Sequence, residues 1–329
     1  MSIDKAIYPA PMGLNEEEPT DGVEIEIEDP ESVSINVGGL EIEIEPGKDY
    51  GGDFDSNLAE ILDEGELEKI GSELVELVDA DISSRKDWAE TFVKGLEVLG
   101  LKYEERTEPW NGACGVYSTI LTEAAIRFQA ESIMETFPAA GPVKTEIIGA
   151  ITKIKEEIAE RVKTDMNYEL TEAMPEYRPE HERMLYSLGL AGAAFKKVYE
   201  DPAYGRQVSL FVNAEDFIVP YGASNLQTAE RATHVMRKTK NELRKLQVAG
   251  FYRDVDLGEP VQILTDIEKT KADQQGYKAT DDDRYQLLEV HTYLDIPGFE
   301  DVDKHGDPTG VALPYVVTID RGTNKVLAI

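Results

Sequence analysis

The sequence contains a single cysteine, Cys114, and only four histidines among its 329 residues. One cysteine excludes an internal disulfide framework and fits a reducing compartment. The histidines, His181, His234, His291 and His305, show no H-x-H or H-x-x-x-H spacing, so the sequence does not support a local zinc site. We interpret Cys114 as a small buried hydrophobic residue, because no histidine or asparagine lies near it in sequence to activate the thiol.

The sequence also lacks long apolar runs. No run approaches the roughly 18 residues that a membrane-spanning helix needs. The N-terminus has no basic region followed by an apolar core, so it does not resemble a secretory signal. We therefore expect synthesis in the cytosol and no contact with a membrane.

Basic residues are scarce, since 33 Lys and Arg stand against 66 Asp and Glu, a formal net charge of −33. Residues 1–80 hold 24 acidic and 3 basic residues, a net of −21, and the remainder carries −12. This charge repels phosphate backbones and argues against ordinary nucleic-acid binding. It is typical of a solubilising surface, although a protein past which DNA must slide can also use such repulsion. We interpret the mildly basic segment 231–245 as an outward charged face rather than a DNA contact.

The composition of the acidic N-terminal part predicts an extended arm. Residues 1–22 are rich in Pro, Glu and Asp, and residues 23–28 (VEIEIE) and 40–45 (LEIEIE) alternate apolar and acidic residues as short strands do. Their Glu faces would repel if paired directly, so we expect these strands at an edge or against a partner. Residues 58–78 have helical spacing. A composition change then predicts a domain boundary near residue 80, with an arm at 1–80 and a globular domain at 81–329.

Helices follow in the globular domain. The stretch 110–143 predicts a helix from Ile120 to Phe137 with one broad apolar face, built to pack. Residues 144–174 repeat Ile, Val, Leu and Met three or four apart, which predicts a rod of roughly 45 Å if it is unbroken. A further helix is predicted at 180–194.

The rest of the domain is mainly β. Strands are predicted at 195–199, 207–212, 216–220 and 232–238, and again at 285–293, 315–320 and from Lys325 onward. Thr239 and Glu242 form a T-x-x-E capping box that opens a helix ending at Ala249. The fold class is therefore α+β, with helices, antiparallel strands and a preceding acidic arm.

One loop carries a partial metal motif. Asp301, Asp303 and His305 occupy alternate positions, with Gly306 sixth and Asp307 seventh, as at the start of a calcium loop. The twelfth position is Ala312, so the bidentate glutamate is missing, and we interpret the loop as acidic and solvated. The acidic run 281–283 is interpreted as a solvated turn. No catalytic, cofactor-binding or metal-binding residue is assigned.

The order of sequence blocks resembles that of a known family. The blocks are RKDWAETFVKGLEVLGLKYEERTEPWNGACGV, LTEAAIRFQAESIMETFP, the long methionine-containing helix, LYSLGLAGAAFKKVYEDPAYGRQVSLFVNAEDFIVPYGASNLQTAERATHVM and NELRKLQVAGFY. From Ser83 to the end they resemble tailed-bacteriophage portal proteins, the head-to-tail connectors, of the short-tailed-phage branch. The acidic first 80 residues have no counterpart in that resemblance.

The resemblance implies a structural subunit and not an enzyme. Portal proteins form a ring, typically a dodecamer, at one capsid vertex, through which double-stranded DNA passes without sequence-specific binding during packaging and ejection. Implied partners are the major capsid protein, the terminase large subunit and tail adaptor proteins, and the implied location is the virion, after assembly in the host cytoplasm. The chain resembles the peripheral α/β wing, with stem and clip expected beyond Ile329. The acidic arm is expected to clasp a neighbouring subunit, capsid or tail component.

Two alternatives stay open. One is an acidic, metal-dependent hydrolase that uses the carboxylates at 301–307. The other is a different virion assembly protein, such as a tail adaptor or scaffold, which predicts another stoichiometry.

Overall fold

The chain forms two compact units that divide between Ser56 and Asn57. In the first unit, the computed structural model describes the backbone of residues 24–29, 32–37 and 40–44. In the second unit it describes residues 57–99, 108, 110–113, 115, 118–201, 205–261, 264–276, 284–305 and 307–329. Helices and antiparallel strands are both present, which confirms the α+β class.

The first unit contains a three-stranded antiparallel sheet of β1 (Glu24–Asp29), β2 (Ser32–Val37) and β3 (Leu40–Ile44). The strands predicted from the two Ile–Glu repeats are β1 and β3. An additional strand, β2, lies between them, and its Ser34 pairs with Glu26 on one side and Glu43 on the other. Because β2 separates the two acidic strands, glutamates of β1 and β3 are never direct cross-strand partners.

The core of the second unit forms where helix α1 (Glu64–Ser84) packs on a five-stranded antiparallel sheet. The strand order is β10-β9-β8-β7-β6, with β6 at Phe217–Ile218, β7 at Arg231–Thr239, β8 at Arg284–Leu294, β9 at Leu313–Asp320 and β10 at Val326–Ala328. Buried side chains on one side of the helix meet alternate positions of the strands: Leu67, Leu74, Val75 and Val78 against Ile218, Leu288, Val290, Val317 and Ile319.

This packing puts the boundary between units earlier than the predicted residue 80. A single 3-10 turn, Leu58–Glu60, precedes α1, and the Leu58 N–H donates to the Ile329 carbonyl at 3.2 Å. The Asn57 side chain also donates to the Leu327 carbonyl at 2.9 Å. Residues 57–80 therefore belong to the second unit. The composition change near residue 80 reflects the acidic outer side of α1 and not a domain edge.

The other face of the sheet packs against helix α6 (Lys240–Val248) and the segment after it. Leu243, Tyr252 and Leu257 contact Tyr285 and Leu287 of β8. The predicted capping box is confirmed, since Thr239 Oγ1 accepts the Glu242 N–H at 3.3 Å and the Glu242 carboxylate accepts the Thr239 N–H at 2.8 Å. The central strand is thus buried on both faces.

A second cluster joins helices to a hairpin. It involves α2 (Lys86–Val98), α5 (Tyr177–Ala191), α7 (Asp266–Gln274) and the hairpin of β4 (Phe195–Asp201) and β5 (Arg206–Val212). Phe92, Leu96 and Ile267 are buried at its centre. Helix α7 was not predicted from the sequence. It begins with its own T-x-x-E capping box at Thr265 and Glu268.

Helix α3 (Ile120–Thr136) confirms the predicted helix and packs on α5, where the Gln129 side chain donates to the Glu182 carbonyl at 2.9 Å. The rod predicted over 144–174 is wrong. Helix α4 spans only Lys153–Tyr168, about 24 Å at 1.5 Å per residue, and continues as a π-helical turn, Glu169–Ala173. Thr152 caps α4 by accepting the Lys155 N–H, and Gly149 upstream has φ +87°.

Gly71 of α1 provides a test of the core packing. A Cβ at Gly71 would lie 2.2 Å from the Asn324 carbonyl oxygen in the turn between β9 and β10. We expect Gly71→Ala to lower the free energy of unfolding by about 2–3 kcal/mol, because backbone must move. The matched control is Gly95→Ala in α2, where nothing lies within 4 Å and alanine should stabilise by about 0.5–1 kcal/mol. Urea unfolding measures both. If both substitutions change the free energy of unfolding equally, Gly71 does not pack closely against the turn between β9 and β10.

Candidate functional site

The acidic loop at 301–309 is closed by its own hydrogen bonds. Asp303 Oδ1 accepts the backbone N–H groups of His305 and Asp307 at 2.8 and 3.0 Å. Asp301 Oδ2 accepts the Thr309 hydroxyl at 2.5 Å, and Val302 pairs with Pro308. Among the residues that the structure describes, no cluster of His, Cys, Asp or Glu has the geometry to hold a metal ion. The two aspartates therefore act as turn-stabilising acceptors here.

The histidines lie in different surroundings. His181 stacks on Tyr177 in α5, His234 and His291 lie in β7 and β8, and His305 lies in the acidic loop. Burial lowers the pKa of His181 and of His234, and in each case a neighbouring lysine lowers it further. Both therefore favour the neutral form near pH 7. Cys114 and the run 281–283 lie outside the described residues.

The arginines of the basic segment 231–245 are largely paired inside the chain. Arg231 pairs with Asp81 at 3.2 Å, and Arg237 pairs with Asp216 at 3.0 Å and with Glu268. Their side chains are only 13% and 24% exposed. The prediction of an outward charged face is therefore wrong for these two arginines. It holds for α6, where Lys240, Arg244 and Lys245 are exposed.

A charge cluster joins the β4–β5 hairpin to the main sheet. Lys197 Nζ lies 2.5 Å from both carboxylate oxygens of Glu289, and His291 Nε2 lies 3.2 Å from one of them. Burial disfavours the charged carboxylate, but hydrogen bonds from His291 and Lys197 outweigh it and lower the pKa of Glu289 to about 2. His234 is the cross-strand neighbour of Glu289. The β4–β5 hairpin and the five-stranded sheet are therefore joined by an ion pair, Lys197 with Glu289, whose charges compensate each other.

A second lysine on the same strand has a different environment. Lys196 Nζ lies 3.5 Å from the centroid of the Tyr177 ring and is buried, with no hydrogen-bond partner among the described residues. Burial lowers its pKa to about 8, although the charge of Glu180 acts in the opposite direction. Sequence patterns single out neither lysine. The one available signal is that adjacent residues of a strand point to opposite faces, so the two lysines must lie in different environments.

Apolar side chains of α3 and α4 lie exposed. The structure describes α4 throughout and buries none of its residues, and in α3 it buries only Ala125. We define the α4 stripe as the side chains four apart along one side of the helix: Ile154, Ile158, Val162 and Met166. Their exposed fractions are 71%, 51%, 42% and 48%. Helix α3 adds Ile120, Ile126 and Met134. The broad apolar face predicted for α3 is therefore only partly used within the chain.

Neither a comparison with known protein families nor a comparison with curated proteins finds a match for this chain. Of the helices within the described residues, none combines the length and apolar character needed to cross a bilayer. The exposed α4 stripe is the feature of the described surface that most needs a functional explanation, since contiguous apolar patches usually mark contacts.

The Glu289 cluster predicts a specific acid sensitivity. Because the folded pKa of about 2 lies below the ordinary 4.5, the carboxylate stabilises the fold above about pH 4.5, and this stabilisation is lost as the pH falls through 2. Relative to the double variant Glu289→Gln/Lys197→Met, the wild type should lose about 2 kcal/mol of unfolding free energy across that window. Urea titrations at several pH values measure it.

The control for this test is the exposed pair Lys153 and Glu157 on α4, 3.9 Å apart. Its double neutralisation, Lys153→Met/Glu157→Gln, should leave the pH profile unchanged, since an exposed pair contributes little. If the Glu289 variant has the same profile as wild type, the cluster does not stabilise the fold.

Lys196 predicts a second rise of stability with pH, this time at high pH. Its folded pKa of about 8 lies below the ordinary 10.5, so the unfolded chain binds more protons between these values and stability rises with pH there. Lys196→Met should raise the free energy of unfolding by about 1 kcal/mol at pH 7, once the loss of the favourable contact with the Tyr177 ring is subtracted. This difference between the variant and the wild type should shrink between pH 8 and 10.5. Denaturation of both proteins, with exposed Lys94→Met as control, measures this. A pH-independent difference would contradict it.

Proposed function

We propose that this protein is a structural subunit of a homo-oligomeric phage portal ring, the conduit for DNA at the capsid vertex. The observation that carries the proposal is the α4 stripe, a helical apolar surface that stays exposed among the residues that the structure describes. The resemblance of residues 83–329 to portal proteins gives the ring its identity. On this proposal the chain works by assembly and not by turnover.

Burial of the stripe supplies a driving force for assembly. Each of its side chains is between about two-fifths and seven-tenths exposed, and burying such a side chain contributes roughly 1 kcal/mol. Repeated at every contact, and joined by the exposed apolar residues of α3, the stripe supplies side chains of the kind that form the apolar centre of subunit interfaces. A closed ring satisfies the stripe in every copy, because a heterologous contact that closes by rotation leaves no free end.

The net charge of α4 favours this helix as the contact between copies. Helix α4 carries four basic residues, Lys153, Lys155, Arg161 and Lys163, and four acidic ones, Glu156, Glu157, Glu160 and Asp165. Its net charge is therefore zero in a chain with a net charge of −33. Copies of this chain carry a like charge and repel one another overall, and a helix without net charge adds little to that repulsion.

The acidic charge also suits a DNA conduit. A surface that repels phosphates does not retain the duplex, so DNA can pass in either direction without sequence-specific binding. On this proposal the ring contacts the major capsid protein at its rim, and the terminase large subunit and tail adaptor proteins dock on it in turn. It is made in the host cytoplasm and retained in the virion.

Solution mass tests the role of the stripe. We expect the wild type to sediment as an assembly of about twelve copies. The double variant Ile158→Asp/Val162→Asp, which places two charges in the stripe, should sediment as a monomer at the same concentration, because those charges would be desolvated at the contact. The control is Thr164→Asp, which adds one charge of the same sign at an exposed position on the opposite side of α4.

Both variants should retain the circular dichroism of the wild type, because α4 buries no side chain. A wild type that remains monomeric at every concentration would contradict the ring. Stripe variants that assemble as well as Thr164→Asp would show that α4 is not the contact. A small fixed oligomer would favour a tail adaptor.

A further inference from the structure

A cavity of about 580 Å³ opens between α2, α5, α7 and β5. This volume lies within the roughly 300–1,000 Å³ of sites that bind small groups. Its apolar lining comes from five side chains: Phe92, Leu96, Leu99, Leu190 and Phe211. The cavity therefore favours a flat or bulky apolar group.

The polar lining restricts the chemistry of that group further. Gln274 lines the cavity, and its Oε1 is buried and accepts no hydrogen bond from any described residue. The two cations in the lining are already compensated, Lys271 by Glu215 at 2.6 Å and Arg183 by Glu180 at 2.9 Å. A buried acceptor without a donor is unfavourable by about 1–3 kcal/mol. The lining also contains Gln129, Glu180, Tyr186, Ser187, Asn213 and Gln275, but among the described residues Gln274 Oε1 is its one buried polar side-chain atom without a partner. The cavity is therefore matched by an uncharged apolar group with one N–H or O–H donor.

An indole side chain has these properties, and this chain exposes one. Trp110 is 66% exposed, in the connection between α2 and α3. An indole has a large apolar surface and one N–H donor, and it accepts no hydrogen bond. Because Trp110 is exposed, it does not fill the cavity of its own copy. The other tryptophan, Trp88, already donates its N–H to the Ala191 carbonyl at 3.1 Å.

We infer that Trp110 of one copy inserts into this cavity of a neighbouring copy, where its indole N–H donates to Gln274 Oε1. The inference rests on the proposed assembly and adds to it a second, directional contact. Trp110 is not among the residues that line the cavity, so the contact joins two different sets of residues, is heterologous and propagates around a ring. An aromatic anchor in a pocket is also the type of contact that dominates interface energies.

Cross-linking between two single-cysteine variants tests the contact directly. Both variants carry Cys114→Ser; one adds Asn111→Cys, next to Trp110, and the other adds Gln275→Cys, at the cavity rim. After mixing and reassembly, a short bis-maleimide should join the two kinds of copy, a product that can only be intermolecular. The control replaces Gln275→Cys with Val248→Cys, which is 74% exposed and outside the cavity lining.

Trp110 itself provides a second readout. In Trp88→Phe, Trp110 is the sole tryptophan, and its acrylamide quenching should fall about threefold or more when dilute protein is concentrated into the assembly, since water is excluded from a buried anchor. Trp110→Ala should weaken assembly about tenfold or more, and Trp110→Phe should weaken it less, because only the N–H donor is lost. The control is Tyr221→Ala, another aromatic residue at 86% exposure.

The outcomes separate this inference from the proposed function. An assembly that forms with Trp110 still fully quenched and no cross-link to position 275 would overturn the inference and leave the ring intact. A protein that stays monomeric at every concentration would overturn both. Loss of assembly in Trp110→Ala together with the cross-link would establish the contact.

Discussion

The burial of one side of α1 against the five-stranded sheet determines how the rest of the second unit is arranged. Val78, Leu288, Val290 and Val317 are completely or almost completely removed from solvent there. The close approach of Gly71 to the β9–β10 turn and the bonds from Asn57 and Leu58 to the final strand tie the start of the unit to its end. With α6 on the opposite face, most of the central strand β8 is buried on both sides. Helices α3 and α4 lie outside this core, and apolar residues of both remain exposed.

Charged side chains are also distributed differently between the core and the surface of the second unit. The cations near the core, Arg231, Arg237, Lys197 and Lys271, are each paired with a carboxylate of the same chain. Cations compensated in this way do not offset the acidic excess, and the chain as a whole keeps a net charge of −33. A surface of this kind prevents association except where apolar area is large and local charge is balanced. Helix α4 meets both conditions, which connects the packing of the core to the proposed assembly.

Local signals in the sequence predicted local structure well. The Thr239–Glu242 capping box, the hairpin strands β4 and β5 and the extent of α3 follow from residues within one turn or one strand of each other. The boundary at Ser56 and the start of α4 at Lys153 did not follow. In the first case charge on the outer side of α1 concealed its inner packing, and in the second apolar residues at helical spacing continued through the non-helical segment 144–152.

The candidate contacts depend on long-range packing and could not be read from spacing. Gln274 and Phe92 line one cavity although they are far apart in the sequence, and the environment of Lys196 is set by Tyr177 of another element. By contrast, the apolar repeat of α4 was visible in the sequence, but only the structure shows that the described part of the chain leaves it exposed. An unused apolar face is a property of the fold and not of the repeat.

On the proposed function, the exposed α4 stripe closes copies of this chain into a ring around a passage. Rotational averaging of single-particle electron micrographs of the purified protein is the sharpest test of this ring. End-on views should show about twelvefold symmetry and an open axial channel. Particles with only twofold symmetry, open filaments, or compact particles without a channel would contradict it.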